Sequence, residues 1–213
     1  MELPRFNRQE IAFLLIVPIA WAILLLFHPA VGDPVYESLT DDETAFYAVH
    51  LGMLVFIGLI GAALYLLVRD LPGTAARVTR YAIWPFILFY AAGEAVLGIA
   101  TGVVVNHGDE VPADQQEGVA SSAQALWDDF IASDLLIGLG AVAWFVAIAG
   151  AVLAYRRAGA PVPALVLLGL SAFVAFHDPP IGPIALLCFA GAVALIARAA
   201  DAPAARAPAL ADA

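Results

Sequence analysis

The chain has no lysine and a single cysteine. Without lysine, a retinal-type Schiff base is excluded. One thiol, Cys188, cannot close an internal disulfide, and there is no CxxC metal or redox pair. Cys188 is therefore read as a small buried hydrophobe. Walker A, GxGxxG and HExxH patterns are all missing, which removes the usual soluble-domain chemistries. Charge is scarce as well, at 13% of residues against 63% hydrophobic, with a mean hydropathy of +0.91. A soluble domain is closer to half apolar and a quarter charged, so this excess of apolar surface needs lipid to cover it.

Six apolar runs follow one another: Ile11–Ala30, Phe46–Val68, Tyr81–Val105, Phe130–Tyr155, Val162–Phe176 and Ile181–Ala199. Most can cross a ~30 Å hydrocarbon layer at 1.5 Å per residue. In lipid every backbone polar group must be paired within its own segment, so the runs are read as helices. The expected fold is an all-α membrane protein, a bundle of about six transmembrane helices. Residues 1–200 form its single domain and 201–213 a disordered cytoplasmic tail, rich in Ala and Pro. The fifth run is short, with Pro161 and Pro163 at its start, and the alternative for it is half of a hairpin dipping into the membrane. The first run is too long for a cleaved signal peptide and no clear small-residue cleavage pattern follows it.

Orientation comes from the nine arginines. Arg5 and Arg8 lie in the N-terminal tail, and Arg69, Arg77 and Arg80 in the second connection. Arg156 and Arg157 lie in the fourth connection, and Arg198 and Arg206 at the C-terminal end. Six spans put these four segments on one side, which the positive-inside rule makes cytoplasmic. Both termini are then inside a plasma membrane. The acids gather on the other side: Asp33, Glu37, Asp41, Asp42 and Glu43 in the first outer loop, and Asp109, Glu110, Asp114, Glu117, Asp128 and Asp129 in the second. They are either solvated loop residues or a negative face that attracts cations. Thr40-Asp41-Asp42-Glu43 and Ser121-Ser122-Ala123-Gln124 both fit a capping box and predict helix starts there. Pro112 is a candidate start for a short surface helix. Gly98 and Gly102 form a GxxxG match, read as packing within one bundle.

Glu94 lies well inside the third run, ~21 Å along the helix axis from Arg80. An isolated charged carboxylate at that depth costs at least ~2.5 kcal/mol, so it should face the bundle interior and find a partner or a proton. Three of the four histidines lie at a common height. His28 is 20 residues from Arg8, His50 is 19 from Arg69, His177 is 20 from Arg157, and Asp134 is 22 from Arg156. At 1.5 Å per residue all four reach ~28–33 Å, near the outer boundary. Asp178 follows His177, whereas His107 is read as a solvated loop residue.

His28, His50 and His177, with Asp134 and Asp178, thus form a candidate ligand set for Zn, Fe or Mn. Two facing imidazoles could instead hold haem b. Glu94 beneath them is the candidate catalytic proton acceptor, taking a proton from a water activated by the ion. The bland alternative is polar residues collecting at helix ends near the headgroups, with Glu94 paired only for packing.

The pattern of outer-side His and Asp resembles that of ceramidase-like membrane hydrolases, which hold zinc within a helical bundle. Those have seven spans and an HxxxH pair, and this chain has six runs and no HxxxH, so no residue is carried over. The resulting expectation is an outward-facing metal or haem site with a redox or hydrolytic role on a lipid or small hydrophobic substrate. The alternatives are a proton-coupled transporter using Glu94 and a non-catalytic accessory subunit. The lipid bilayer is the expected partner, with a membrane protein or a second copy as further candidates and no nucleic acid. The lack of lysine beside abundant Ala, Arg and Pro points to a GC-rich microbial genome.

Overall fold

A computed structural model describes residues 3–108 and 110–202, so Asp109 and the tail from 203 onward, including Arg206, lie outside the described residues. Helix α1 (Arg8–Leu25) starts on a capping box that runs both ways. The Asn7 side chain accepts from the N–H groups of Gln9 and Glu10 at 2.9 and 3.0 Å, and the Glu10 carboxylate accepts from the Asn7 N–H at 2.9 Å. The short α2 (Val35–Leu39) precedes α3 (Glu43–Val68), and α4 runs from Thr74 to Gly108. The stretch Gln116–Arg157 breaks at Asp128 and Asp129 into α5 (Gln116–Trp127) and α6 (131–157). Helix α7 (Val162–Leu170) tightens into a 3₁₀ turn over Ser171–Ala175, and α8 (Ile181–Asp201) follows.

Among the described residues, five helices are long and apolar enough to cross a membrane. The stretch Val162–Ala175 falls short of that length. Nine α-helical and five 3₁₀ residues rise roughly 24 Å, against ~30 Å of hydrocarbon. Only 33–50% of each long span is buried inside the bundle, and the remaining faces carry large apolar side chains such as Ile16, Val55, Leu88, Val142 and Leu187. A helix apolar all round is one whose every face avoids water, as in a large protein core or a membrane span.

The helices close a cycle. α1 packs on α3, α3 on α4, α4 on α6, α6 on α7, α7 on α8, and α8 returns to α1. Leu14, Trp21, Met53, Ile57, Phe86, Trp144 and Phe189 are buried in the centre. At one end, the C-terminal carbonyls of α3 have no partner within their own helix. Tyr155 donates to the Leu67 carbonyl at 2.6 Å, and Arg80 Nη1 donates to those of Val68, Arg69 and Leu71 at 3.0–3.2 Å. At the other end, α2 and α5 fold over the bundle. Val35, Leu39, Phe46, Val105 and Ala123 form a second small core there.

Two expected helix starts lie elsewhere. The Thr40 hydroxyl donates back to the carbonyls of Tyr36 and Glu37, and α3 starts at Glu43 with no side-chain cap. Ser121 to Gln124 lie within α5, where Ser122 donates to the Gly118 carbonyl. In both places a hydroxyl finds a carbonyl of the preceding turn, a competing use of the same side chain.

Candidate metal centre

Four chain segments meet under the α2–α5 cap. His28 follows the end of α1, where its N–H bonds back to the Leu25 carbonyl at 3.1 Å. His50 sits two turns into α3, Tyr90 and Glu94 one turn apart on α4, and His177 and Asp178 in the link between α7 and α8. Helix α4 is irregular here. Phe86–Tyr90 and Ala95–Ala100 are π-helical and bracket Ala91–Glu94. Such turns rotate the side chains that follow and are frequent at functional sites. Gly98 lets α4 approach α3 at this level. A Cβ there would overlap the His50 ring, so the imidazole occupies the space a side chain would need. Gly182 does the same for the link, since a Cβ on it would strike the His177 carbonyl.

The imidazoles of His28, His50 and His177 converge, and one ligand atom from each lies within 4.8 Å of the others, a grouping that could hold a metal ion. His28 and His50 are 7% and 2% exposed. His28 Nδ1 donates to the Pro29 carbonyl at 2.7 Å, and His50 Nδ1 to the Phe46 carbonyl at 2.8 Å. A carbonyl only accepts, so the proton sits on Nδ1 in both, and each neutral ring is left with a bare Nε2. Those two nitrogens face each other at 3.4 Å. Glu94, 2% exposed, places Oε2 3.5 Å from His50 Nε2 and Oε1 3.5 Å from His177 Nδ1. Tyr90 donates to the Ala175 carbonyl at 3.1 Å, and its oxygen is 3.0 Å from His177 Nδ1.

These separations suit a cation. Four ligands at ~2.05 Å around a tetrahedral ion stand about 3.3 Å apart. Three of the six edges measure 3.4, 3.5 and 3.5 Å, and the three imidazole ligand atoms span up to 4.8 Å, so an ion would draw them closer together. Metal-bound histidines characteristically donate the other ring N–H to a carbonyl or carboxylate, which His28 and His50 already do.

The remaining candidates are less central. Asp178 Oδ1 stands 3.8 Å from His28 Nδ1 and 3.9 Å from His177 Nε2, with its side chain 74% exposed. It therefore lies at the rim, on the far side of nitrogens that point outward. Asp134 is exposed, its carboxylate 3.5 Å from the Ser133 hydroxyl, and it does not join the histidine group. It shares their height on the bundle but not their direction. His107 pairs with Glu110 at 2.8 Å, on the surface and apart from the cluster.

A cavity of about 200 Å³ opens onto the cluster, reaching solvent at Asp178 and walled by Leu97, Trp127, Ile137 and Phe176. Its volume is roughly that of seven liquid waters. Phe46 packs on His50 with ring centroids 4.2 Å apart and meets Trp127 at 6.5 Å, tying the cap to the site. Sequence reasoning missed Tyr90, Phe46 and Trp127. The available signal was spacing: Tyr90 and Phe46 lie four residues before Glu94 and His50, on the same helix faces. No family model matches the chain, and neither does any curated protein or solved structure.

Proposed function

We propose that the protein is a plasma-membrane metalloprotein, with both termini cytoplasmic and one metal centre near the outer face. In this reading His28, His50 and His177 hold the ion and Glu94 completes the set as the anionic fourth ligand. The observation that carries it is the meeting of two bare imidazole nitrogens and a carboxylate in a buried space, with no arginine among the described residues between them. Lone pairs so placed repel one another unless a proton or a metal ion sits among them, and three imidazoles with one carboxylate offer an ion a full set of donors. Zn²⁺, Fe²⁺ and Mn²⁺ all accept this donor set, and would supply Lewis-acid or redox chemistry there. The chain's part is to hold the donors, to exclude bulk water under Trp127, and to admit a molecule past Asp178. The cavity favours a small substrate over a whole lipid.

Haem is the weaker reading. A porphyrin between His28 and His50 needs the equatorial space that His177 and Glu94 occupy. The arginine-bearing ends support the orientation: Arg69 pairs with Glu10 at 2.7 Å, so the N-terminal segment and the α3–α4 link share the end opposite the histidines.

The test is elemental analysis of the full chain purified in detergent, with its visible spectrum. About one transition-metal ion per chain and no Soret band are expected. Zinc without colour would point to hydrolysis, and iron with ligand-field or charge-transfer bands to redox chemistry. No stoichiometric metal, or metal content unchanged by His50→Ala, would end the proposal.

A further inference from the structure

Far from the histidines, two cavities adjoin on the outer surface of α3 and α4. One, of about 350 Å³, is lined by Tyr65, Arg77, Arg80, Tyr81 and Trp84. The other, of about 320 Å³, is lined by Gly58, Gly61, Ala62, Ile83 and Ile87 and by the same Tyr65 and Trp84. They form one groove, basic at its upper end and apolar below. Its walls are two helical stripes. On α4, positions 77, 80, 84 and 87 recur every three or four residues, and on α3 so do 58, 61, 62 and 65. Gly58 lies ~10 Å deeper along its helix than Tyr65, and Ile87 ~15 Å deeper than Arg77.

We propose that this groove binds one anionic phospholipid, with its phosphate on Arg77 and Arg80 and an acyl chain laid over Gly58. The inference needs the bundle to lie in a bilayer but does not need the metal centre. Charge is the first support. Arg77 is exposed and its guanidinium makes no hydrogen bond or ion pair among the described residues, and the Arg80 side-chain bonds all leave from Nη1. Two guanidinium groups one turn apart, without a carboxylate between them, match a phosphate diester and disfavour a headgroup that adds a quaternary ammonium. The aromatic rim is the second support. Tyr81 and Trp84 are 73% and 65% exposed, and such side chains settle at headgroup level. Shape is the third. A Cβ built on Gly58 meets nothing within 4 Å, so the groove floor is open where a chain would lie.

Trp84 reports occupancy. The full chain is placed in phosphatidylcholine vesicles, and either brominated-chain phosphatidylglycerol or brominated-chain phosphatidylcholine is added. The Trp84 signal is the difference from Trp84→Phe. Phosphatidylglycerol should quench at an approximately fivefold lower mole fraction than phosphatidylcholine, the factor one arginine near an anionic surface supplies. Arg77→Gln should bring that ratio close to one while leaving metal content unchanged. Gly58→Leu, which fills open space, should weaken quenching by both lipids. Millimolar inorganic phosphate, lacking a chain, should displace neither. The proposal is overturned by equal quenching in the parent protein, by selectivity that survives Arg77→Gln, or by quenching that survives Gly58→Leu. Release by phosphate alone would overturn it too, as would a dimer whose second copy shields Trp84 from both lipids.

Discussion

A single hydroxyl sets the orientation of His177. Tyr90 donates to the Ala175 carbonyl and stands 3.0 Å from His177 Nδ1, accepting from that nitrogen while no ion holds it, so it ties the link after α7 to the middle of α4. Removing that oxygen leaves the ligand in place but frees its ring to turn. Tyr90→Phe should weaken metal affinity by about 10–100-fold, the usual cost of losing a partner that orients a ligand. Competition with a chelator measures this, and a Glu94→Gln variant gives the scale for losing a ligand. Equal affinity in Tyr90→Phe and the parent protein would remove Tyr90 from the site. The three histidines were legible in the sequence because helix rise is constant, so distance along the chain from an arginine converts to depth. Asp134 shows the limit of that arithmetic. Rise gives height but not direction around the axis, and the π-helical Ile131–Leu136 turns direction further. Which ring nitrogen faces inward depends on side-chain torsions and on carbonyls two or more bonds away, which no spacing encodes.

At the scale of elements, the site is made by how closely α3 and α4 approach. The GxxxG pair read as packing within one bundle does face a neighbouring helix, with Gly98 against His50 and Gly102 against Phe46 and Tyr47. Gly98→Ala would push a methyl into the His50 ring, and the helices must part or the ring must leave. Overpacking of this kind typically costs ~1–3 kcal/mol, so a lowered melting temperature is expected together with lost metal. Gly58→Ala is the control, since its added methyl meets open space on the same helix pair. If Gly98→Ala binds metal as the parent does, the close approach is not what places His50. The helix ends were less legible than the packing. The Asn7–Glu10 box that starts α1 has the same signature as the Thr40 and Ser121 stretches, yet only the first caps a helix. A hydroxyl or amide can bond forward to a free N–H or back to a carbonyl, and tertiary placement of α2 and α5 decides between them.

For the whole molecule, the arrangement of charge and the position of the site make one connected claim. If the arginine-rich end faces the cytoplasm, then Asp178, the cavity mouth and the α2–α5 cap face outward, and a substrate arrives from outside the cell. Six crossings are needed for this, and α7 with its 3₁₀ turn is the crossing that is short. Its length can be offset by local thinning of the bilayer or by the link at Phe176–Asp178 lying within the membrane rather than above it. The consequence is testable with a single reporter thiol. In a Cys188→Ser background, cysteines introduced at Gly73 and Gly159, the turn glycines of the second and fourth connections, should react with a membrane-impermeant maleimide only after the cells are opened. Cysteines at Asp128, between α5 and α6, and at Pro179, in the exposed link after α7, should react in intact cells. Should the cysteine at Pro179 label on the side of Gly159 rather than on that of Asp128, α7 does not complete a crossing, α8 would run the other way, and His177 could not reach His28 and His50. The metal centre therefore depends on the shortest helix spanning the membrane, and labelling at residues 159 and 179 tests the fold and the site together.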